Sequence, residues 1–433
     1  MSTSLSRGSG SRFELFAVTA PGLESITAGE LKTLGIRGRQ QPGGVAFDGD
    51  FNRVYLTNLW LRTASRVVLR LGRFHASTFY ELERFAKKIR WVDFLPATGS
   101  VEVRVTCRKS RLYHSDAVAE RVLAAIARVA PPAVELQIAA SSHQDVGNEK
   151  PDAKQTGKAV ANGDAIPNGD AVPNGDATDR AQSFIVRIVN DECEISADTS
   201  GELLHRRGYR QEVAKAPLRE TLAAAMVLAT GWERGQPLLD PMCGSGTIPI
   251  EAALIGRRAA PGLARSFQFM NWASFDQRLW KEILDEAKTA ILNVALDIRG
   301  ADRDAGAIQS ATRNAERAGV AEDIRFSTEA VSASFASLED VADGAGWVIT
   351  NPPYGIRVRE SADLRNLYAT LGAGMNARRT WRIGILAAED SMARQMRLPL
   401  RSRFDTQNGG IPVRYLVSEK LAGARNRSPK TSP

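Results

Sequence analysis

The chain has 433 residues, 43% hydrophobic and 24% charged, enough for roughly two to four domains with real cores. No run of about 18 uninterrupted apolar residues occurs, and Met1 to Arg12 lacks the apolar stretch of a secretory signal, so neither a transmembrane helix nor a leader is expected. Cys107, Cys193 and Cys243 are too few for a disulfide framework, and the four histidines have no metal-ligand spacing, so a metal-free protein of a reducing cytoplasm is expected. The 57 Lys and Arg against 49 Asp and Glu leave a net charge of +8, which permits a polyanionic partner.

In chain order, residues 1–11 read as a polar tail. A strand is predicted at Arg12 to Thr19, a helix at Gly22 to Leu34, a short strand at Gly44 to Phe47, a helix at Phe51 to Leu61 and a strand at Arg66 to Leu71. Together they make a small α+β unit. Val101 to Cys107 alternates apolar and polar residues, as a half-buried strand does. Ser115 and Asp116 then offer caps for a helix to about Ala130, which Pro131 and Pro132 end.

From about Gln144 to Arg180 the composition turns polar, and Asn162 to Ala177 repeats a six-residue pattern of turn formers. Such a segment buries too little to offset its ordering entropy, so a disordered insertion is expected. It carries a net −3, leaving +11 on the rest of the chain. Phe184 to Val189 and Glu192 to Ala197 read as strands around a turn at Asn190-Asp191, so the insertion interrupts one domain.

Beyond Gly208 strands and helices alternate. They are expected at Pro217 to Thr230 (helix), Pro237 to Asp240, Thr247 to Leu254 (helix), Ile298 to Asp302, Ala305 to Ala318 (helix), Ile324 to Ser327, Trp347 to Thr350, Leu364 to Met375 (helix) and Arg382 to Ala387. This alternation predicts a doubly wound parallel sheet. Gly256 to Ala295 reads as an inserted loop with an extra amphipathic helix at Gln277 to Leu296.

Three segments carry chemistry. The first is Asp240-Pro241-Met242-Cys243-Gly244-Ser245-Gly246-Thr247, where a buried strand ends in an acid and turns through glycines into a helix. Ligands of doubly wound sheets sit at such strand ends, and the opening N–H groups of the helix favour negative charge. No phosphate-loop lysine occurs, and Pro249 stands where a dinucleotide fingerprint needs its third glycine. The segment looks like the first motif of class I S-adenosylmethionine methyltransferases. In the second, Asp302 ends the next strand, where a carboxylate can accept both hydroxyls of a ribose.

The third segment is Asn351-Pro352-Pro353-Tyr354 after Val348 to Thr350. The prolines fix the backbone and end the ladder. The Asn351 carboxamide and the Pro352 carbonyl can each accept from one planar amino group, and Tyr354 offers a stacking face. This is similar to the motif of methyltransferases acting on amino nitrogens of adenine, guanine or glutamine. Carbon methylation usually needs a cysteine nucleophile, and Cys243 reads as filler instead.

These residues resemble those of the bacterial 23S ribosomal RNA guanine-N2 methyltransferases with an N-terminal ferredoxin-like plus THUMP module. The likeness runs from about Phe13 to Leu416, apart from the expected disordered insertion. It rests on Pro21-Gly22-Leu23-Glu24, Gly43-Gly44-Val45, Leu112-Tyr113-His114, Leu204 to Arg210, Leu239 to Thr247 and Asn351 to Gly355. It implies a ferredoxin-like subdomain at 12–65, a THUMP domain at 66–200 holding the insertion at 144–180, a Rossmann-like methyltransferase domain at 201–420 and a tail at 421–433. It also implies S-adenosylmethionine as cofactor, a cytoplasmic monomer, an RNA partner and transfer to N2 of a guanosine. Arg104, Arg108, Lys109, Arg111, Arg206, Arg207 and Arg210 form basic clusters that could neutralise phosphates. Where the family often carries an Asp against the cofactor adenine, this chain aligns Ala330, with Glu329 adjacent. Rival readings are guanine-N2 methylation of tRNA, a DNA adenine or protein glutamine methyltransferase, and a non-catalytic RNA-binding assembly factor.

Overall fold

The computed structural model describes residues 12–139, 181–211, 218–338, 345–354 and 361–419. The polar insertion and both tails lie outside them. The described chain divides into two units, residues 1–207 with 260–290, and residues 208–259 with 291–433.

The first unit is built on β1 (Phe13–Thr19), α1 (Glu24–Thr33), β2 (Gly38–Gln41), β3 (Gly44–Gly49), α2 (Phe51–Trp60), β4 (Ala64–His75), α3 (Phe79–Ala86), β5 (Gly99–Arg108), α4 (Ser115–Ala127), β6 (Val134–Ile138), β7 (Gln182–Val189) and β8 (Glu192–Asp198). One eight-stranded sheet, ordered β2-β3-β1-β4-β8-β7-β5-β6, runs through all of it. The expected boundary near residue 65 therefore falls at a shared strand, since β4 pairs with β1 on one side and β8 on the other. Two short elements escape the sequence pattern, the polar β2 and the edge strand β6. A third, α3, starts at a reciprocal cap between Thr78 and Glu81. At α4 the cap position is His114, without a side-chain bond, rather than Ser115 or Asp116.

The second unit continues with α5 (Glu220–Thr230), β9 (Leu238–Asp240) and α6 (Thr247–Gly256). Helix α7 (Gln277–Thr289) follows in sequence, but its segment, residues 260–290, packs with the first unit. There Phe269 stacks on Tyr55 of α2 at 4.5 Å, and the Asp276 N–H donates to the Tyr55 hydroxyl at 3.0 Å. Leu279, Trp280 and Ile283 add to that core. The amphipathic helix expected inside the 201–420 domain thus buries its apolar face on the preceding unit.

The unit resumes with β10 (Ile298–Asp302), α8 (Ala305–Arg317), β11 (Ile324–Thr328), α9 (Val331–Ala336), β12 (Trp347–Thr350), α10 (Ser361–Ala377), β13 (Arg382–Ala387), α11 (Asp390–Arg394), β14 (Leu400–Asn408) and β15 (Ile411–Ser418). Its sheet is ordered β11-β10-β9-β12-β13-β15-β14. The first five strands are parallel, as expected, but β15 and β14 close the edge antiparallel. The tight Gly409-Gly410 turn, both residues at positive φ, needs no crossover helix and so permits that hairpin. Val348, Ile383 and Ile385 pack on one face against Phe335, Tyr368, Leu371 and Met375 from α9 and α10. Trp347 and Ile349 alternate with them and are fully buried too, so both faces are covered, as a parallel sheet requires.

Candidate active site

The carboxyl ends of β9, β10 and β12 lie side by side, because β9 pairs with both neighbours in parallel register. Each ends at one of the chemical segments, so residues spread over more than 100 positions meet at one edge. Such strand ends are where doubly wound sheets bind ligands.

Asp240 is buried, at 1% exposure. Its Oδ1 accepts from the Thr350 hydroxyl at 2.7 Å and from the Met242 N–H at 3.2 Å. Removal from water pushes its carboxyl up to about 7, against the smaller opposing effect of the two hydrogen bonds. Thr350 thus ties the glycine loop to the strand that delivers Asn351. In sequence, its place just before Asn351 is the only signal of that role.

The glycine loop is pinned from the other side. The Gly244 N–H donates to Asp302 Oδ2 at 2.9 Å, and the Cys243 N–H to the Ala301 carbonyl at 2.9 Å. Asp302 Oδ1 accepts from the Asp304 N–H at 3.0 Å. Gly246 has φ +84°, and a β-carbon there would meet that of Ala311 at 3.0 Å and the Phe326 ring at 3.2 Å. Both conformation and crowding exclude a side chain, so α6 starts with its first N–H groups uncapped by any side chain.

Asp302 therefore shapes the loop at the carboxyl end of β10. Asp302→Ala is expected to weaken S-adenosylmethionine binding by about 1–3 kcal/mol, the size of hydrogen bonds lost from a charged group. Calorimetry on the variant checks this, and unchanged affinity would remove Asp302 from the site.

Asn351 is half-buried, and its Oδ1 is shielded from solvent without a hydrogen-bond partner among the described residues. Pro352 is buried and Pro353 exposed. Tyr354 is half-buried, and the Asn408 side chain donates to its hydroxyl. A second shielded acceptor without a partner is Glu329 Oε2, just past β11, whose backbone N–H donates to the Asp302 carbonyl at 2.9 Å. Ala330, by contrast, is exposed. Both acceptors lie at the carboxyl edge of the second sheet.

No cysteine is poised to attack. Burial, with Asp240 and Asp302 nearby, holds the Cys243 thiol well above its ordinary range. Burial also pushes Cys107 up to about 11 and Cys193 up to about 12. Among the described residues, no three His, Cys, Asp or Glu side chains gather as metal ligands, and no helix is long and apolar enough to cross a membrane.

The expected phosphate contacts divide. Arg104, Arg108, Lys109 and Arg111 are exposed on the first unit, Arg104 sharing the carboxylate of Glu102. Arg206 is half-buried and paired with Glu202 at 2.9 Å. Arg207 is only 4% exposed and donates to the Leu204 and Arg62 carbonyls. Arg210 donates to the Leu218 carbonyl and pairs with Glu220. Arg207 and Arg210 are corrections: their guanidinium donors are spent on buried acceptors and tie backbone segments together.

No lysine follows the glycines, and the strand beside them ends in an amide acceptor without a donor. What places the second unit among the S-adenosylmethionine-dependent methyltransferases is its likeness to known proteins. Residues 207–415 match the UPF0020 family, an RMKL-like methyltransferase domain, and residues 14–68 match an RlmL ferredoxin-like domain. A ribosomal RNA large subunit methyltransferase K/L of Magnetococcus marinus is 33% identical over 97% of this chain and 55% of its own length. The putative RNA methyltransferase YpsC of Bacillus subtilis is 31% identical over 93% of this chain and 95% of its own. The crystal structure of SMU.472, a putative methyltransferase complexed with SAH, superposes with a TM-score of 0.76 at 27% identity, covering 95% of this chain and 98% of its own.

The chain belongs to the family of RMKL-like methyltransferases with an N-terminal RlmL ferredoxin-like domain. It spans about half the length of the K/L relatives it matches.

Proposed function

We propose that this chain transfers a methyl group from S-adenosylmethionine to the exocyclic N2 amine of a guanosine in 23S ribosomal RNA. The observation that carries this reading is Asn351 Oδ1, a buried acceptor at the end of β12 without a donor among the described residues. An aryl amine has two N–H donors and a lone pair delocalised into its ring. Asn351 Oδ1 and the Pro352 carbonyl accept those donors and hold the nitrogen in its reactive orientation.

S-adenosylmethionine supplies the electrophilic methyl group when bound. The residues present suit it. The loop from Asp240 to Thr247 leaves open N–H groups and no side chain at Gly246. Asp302 offers carboxylate oxygens for a ribose, and Glu329 Oε2 an acceptor for the adenine amine. Tyr354, steadied through its hydroxyl by Asn408, offers its ring to the target base. The proton released from the target nitrogen passes to these acceptors or to solvent.

RNA as substrate is supported by the exposed Arg104, Arg108, Lys109 and Arg111, by the resemblance of the first unit to a ferredoxin-like plus THUMP module, and by the relatives' names. A guanosine in structured RNA must leave its stack to reach a strand-end site. The test is incubation with labelled S-adenosylmethionine and separate pools of unmodified ribosomal and transfer RNA, followed by nucleoside analysis. N2-methylguanosine in 23S RNA is expected. Label in transfer RNA alone, or in an adenine, would overturn the reading.

A further inference from the structure

The turn that joins β5 to α4 combines three features that packing alone does not explain. Tyr113 is 69% exposed, so its ring contributes little to any core. The ring lies 4.0 Å from that of His114, tilted by 41°. Three exposed cations, Arg108, Lys109 and Arg111, precede it within five residues.

The turn is also held in a strained shape. Lys109 has φ +46°, the left-handed region that disfavours a lysine and suits glycine. It is kept there by the β7–β8 turn, whose Asn190 and Asp191 are left-handed as well, as those residue types tolerate. The Asn190 N–H donates to the Arg108 carbonyl at 3.2 Å, and the Ser110 hydroxyl to the same carbonyl at 2.8 Å. The Asp191 N–H donates to Ser110 Oγ at 3.0 Å, and the Arg111 N–H to Asp191 Oδ1 at 2.7 Å. A glycine at 109 would make the same turn without strain, so the lysine is explained by where its ammonium group is presented. Strain held in place by surrounding bonds points to function.

We propose that the Arg108–His114 turn is a preformed platform for an unpaired nucleotide of the RNA substrate. Tyr113 stacks on the base, and Lys109 and Arg111 hold the flanking phosphates. Every base has a face that stacks on an aromatic ring, but in a continuous duplex those faces are covered. An exposed ring among cations therefore suits a looped-out nucleotide over a paired one. This deepens the RNA reading above and rests on it.

The test uses the full chain, a transcribed 23S RNA fragment with a hairpin loop, and the same stem closed into continuous duplex. Binding is measured by fluorescence anisotropy over a range of salt. Tyr113→Ala is expected to weaken loop binding by about 5- to 150-fold, the effect of losing one stacked base. Tyr113→Phe should bind as the parent does, and neither change should matter on the duplex. Lys109→Gly should keep or raise the melting temperature while reducing the slope of log affinity against log salt by about one. Parent-like loop binding by Tyr113→Ala would overturn the platform and leave charge alone as the attraction. A Tyr113→Phe defect equal to that of Tyr113→Ala would overturn stacking. If the parent methylates 23S RNA yet Tyr113→Ala binds normally, the platform falls and the methylation reading stands. If the parent neither binds nor methylates RNA, both fall.

Discussion

Asn351→Ala should slow methyl transfer by roughly 2.7–4 kcal/mol, about 100- to 1000-fold, by analogy with the loss of one preorganised polar contact at a reacting group. The expectation rests on the proposed role of Asn351 Oδ1, a shielded acceptor with no hydrogen-bond partner among the described residues. RNA affinity should hardly move, because the exposed cations lie on a different unit. Cofactor affinity should change less than the rate, since the glycine loop is pinned by Asp302 and Asp240. Tyr354→Phe should be milder than Tyr354→Ala, because stacking needs the ring and the hydroxyl only anchors it to Asn408. Single-turnover methylation of one RNA fragment by the three variants measures this. A parent-like rate for Asn351→Ala would reduce the N-P-P-Y segment to a rigid turn.

Asp240→Asn should stabilise the cofactor-free protein at pH 8 while impairing its cofactor binding. Asp240 has its folded-state carboxyl at about 7, above its ordinary value of 3.8. Its contribution to stability is therefore greatest below pH 3.8, declines as pH rises through the interval to 7, and stays at its minimum above that. At about 1.4 kcal/mol per pKa unit, ionising the buried group costs on the order of 4 kcal/mol. An asparagine keeps an oxygen for Thr350 and Met242 but carries no charge to desolvate. The melting temperature of the parent should fall more between pH 5 and pH 8 than that of Asp240→Asn. Each kcal/mol corresponds to roughly 2–4 °C for a unit of this size. Parallel pH profiles for the two proteins would refute the assignment. A carboxylate retained against this cost fits a site for a cationic ligand, and S-adenosylmethionine carries both a sulfonium and an amine.

Much of the site was legible in sequence because its parts are local. A strand ending in an acid, a pair of glycines opening a helix, and an asparagine before two prolines each declare their backbone geometry within about ten residues. The parallel core of the second sheet was equally legible, since strands covered on both faces read as short apolar runs. The polar β2 and the edge strand β6 carry no such run, and β14 alternates only weakly, so they escaped.

What only the tertiary structure decided depends on partners far away in the chain. The Thr350–Asp240 and Gly244–Asp302 bonds span 110 and 58 positions, and nothing near either residue announces them. Arg207 and Arg210 look like Arg206 in sequence, but carbonyl partners, and for Arg207 burial, turn them into struts. The amphipathic face of α7 predicts that a partner exists without saying which, and Tyr55 and its neighbours in the first unit claimed it. Short-range pattern fixes backbone shape. Which charges lose their water, and which apolar faces meet, is set only when distant segments pack together.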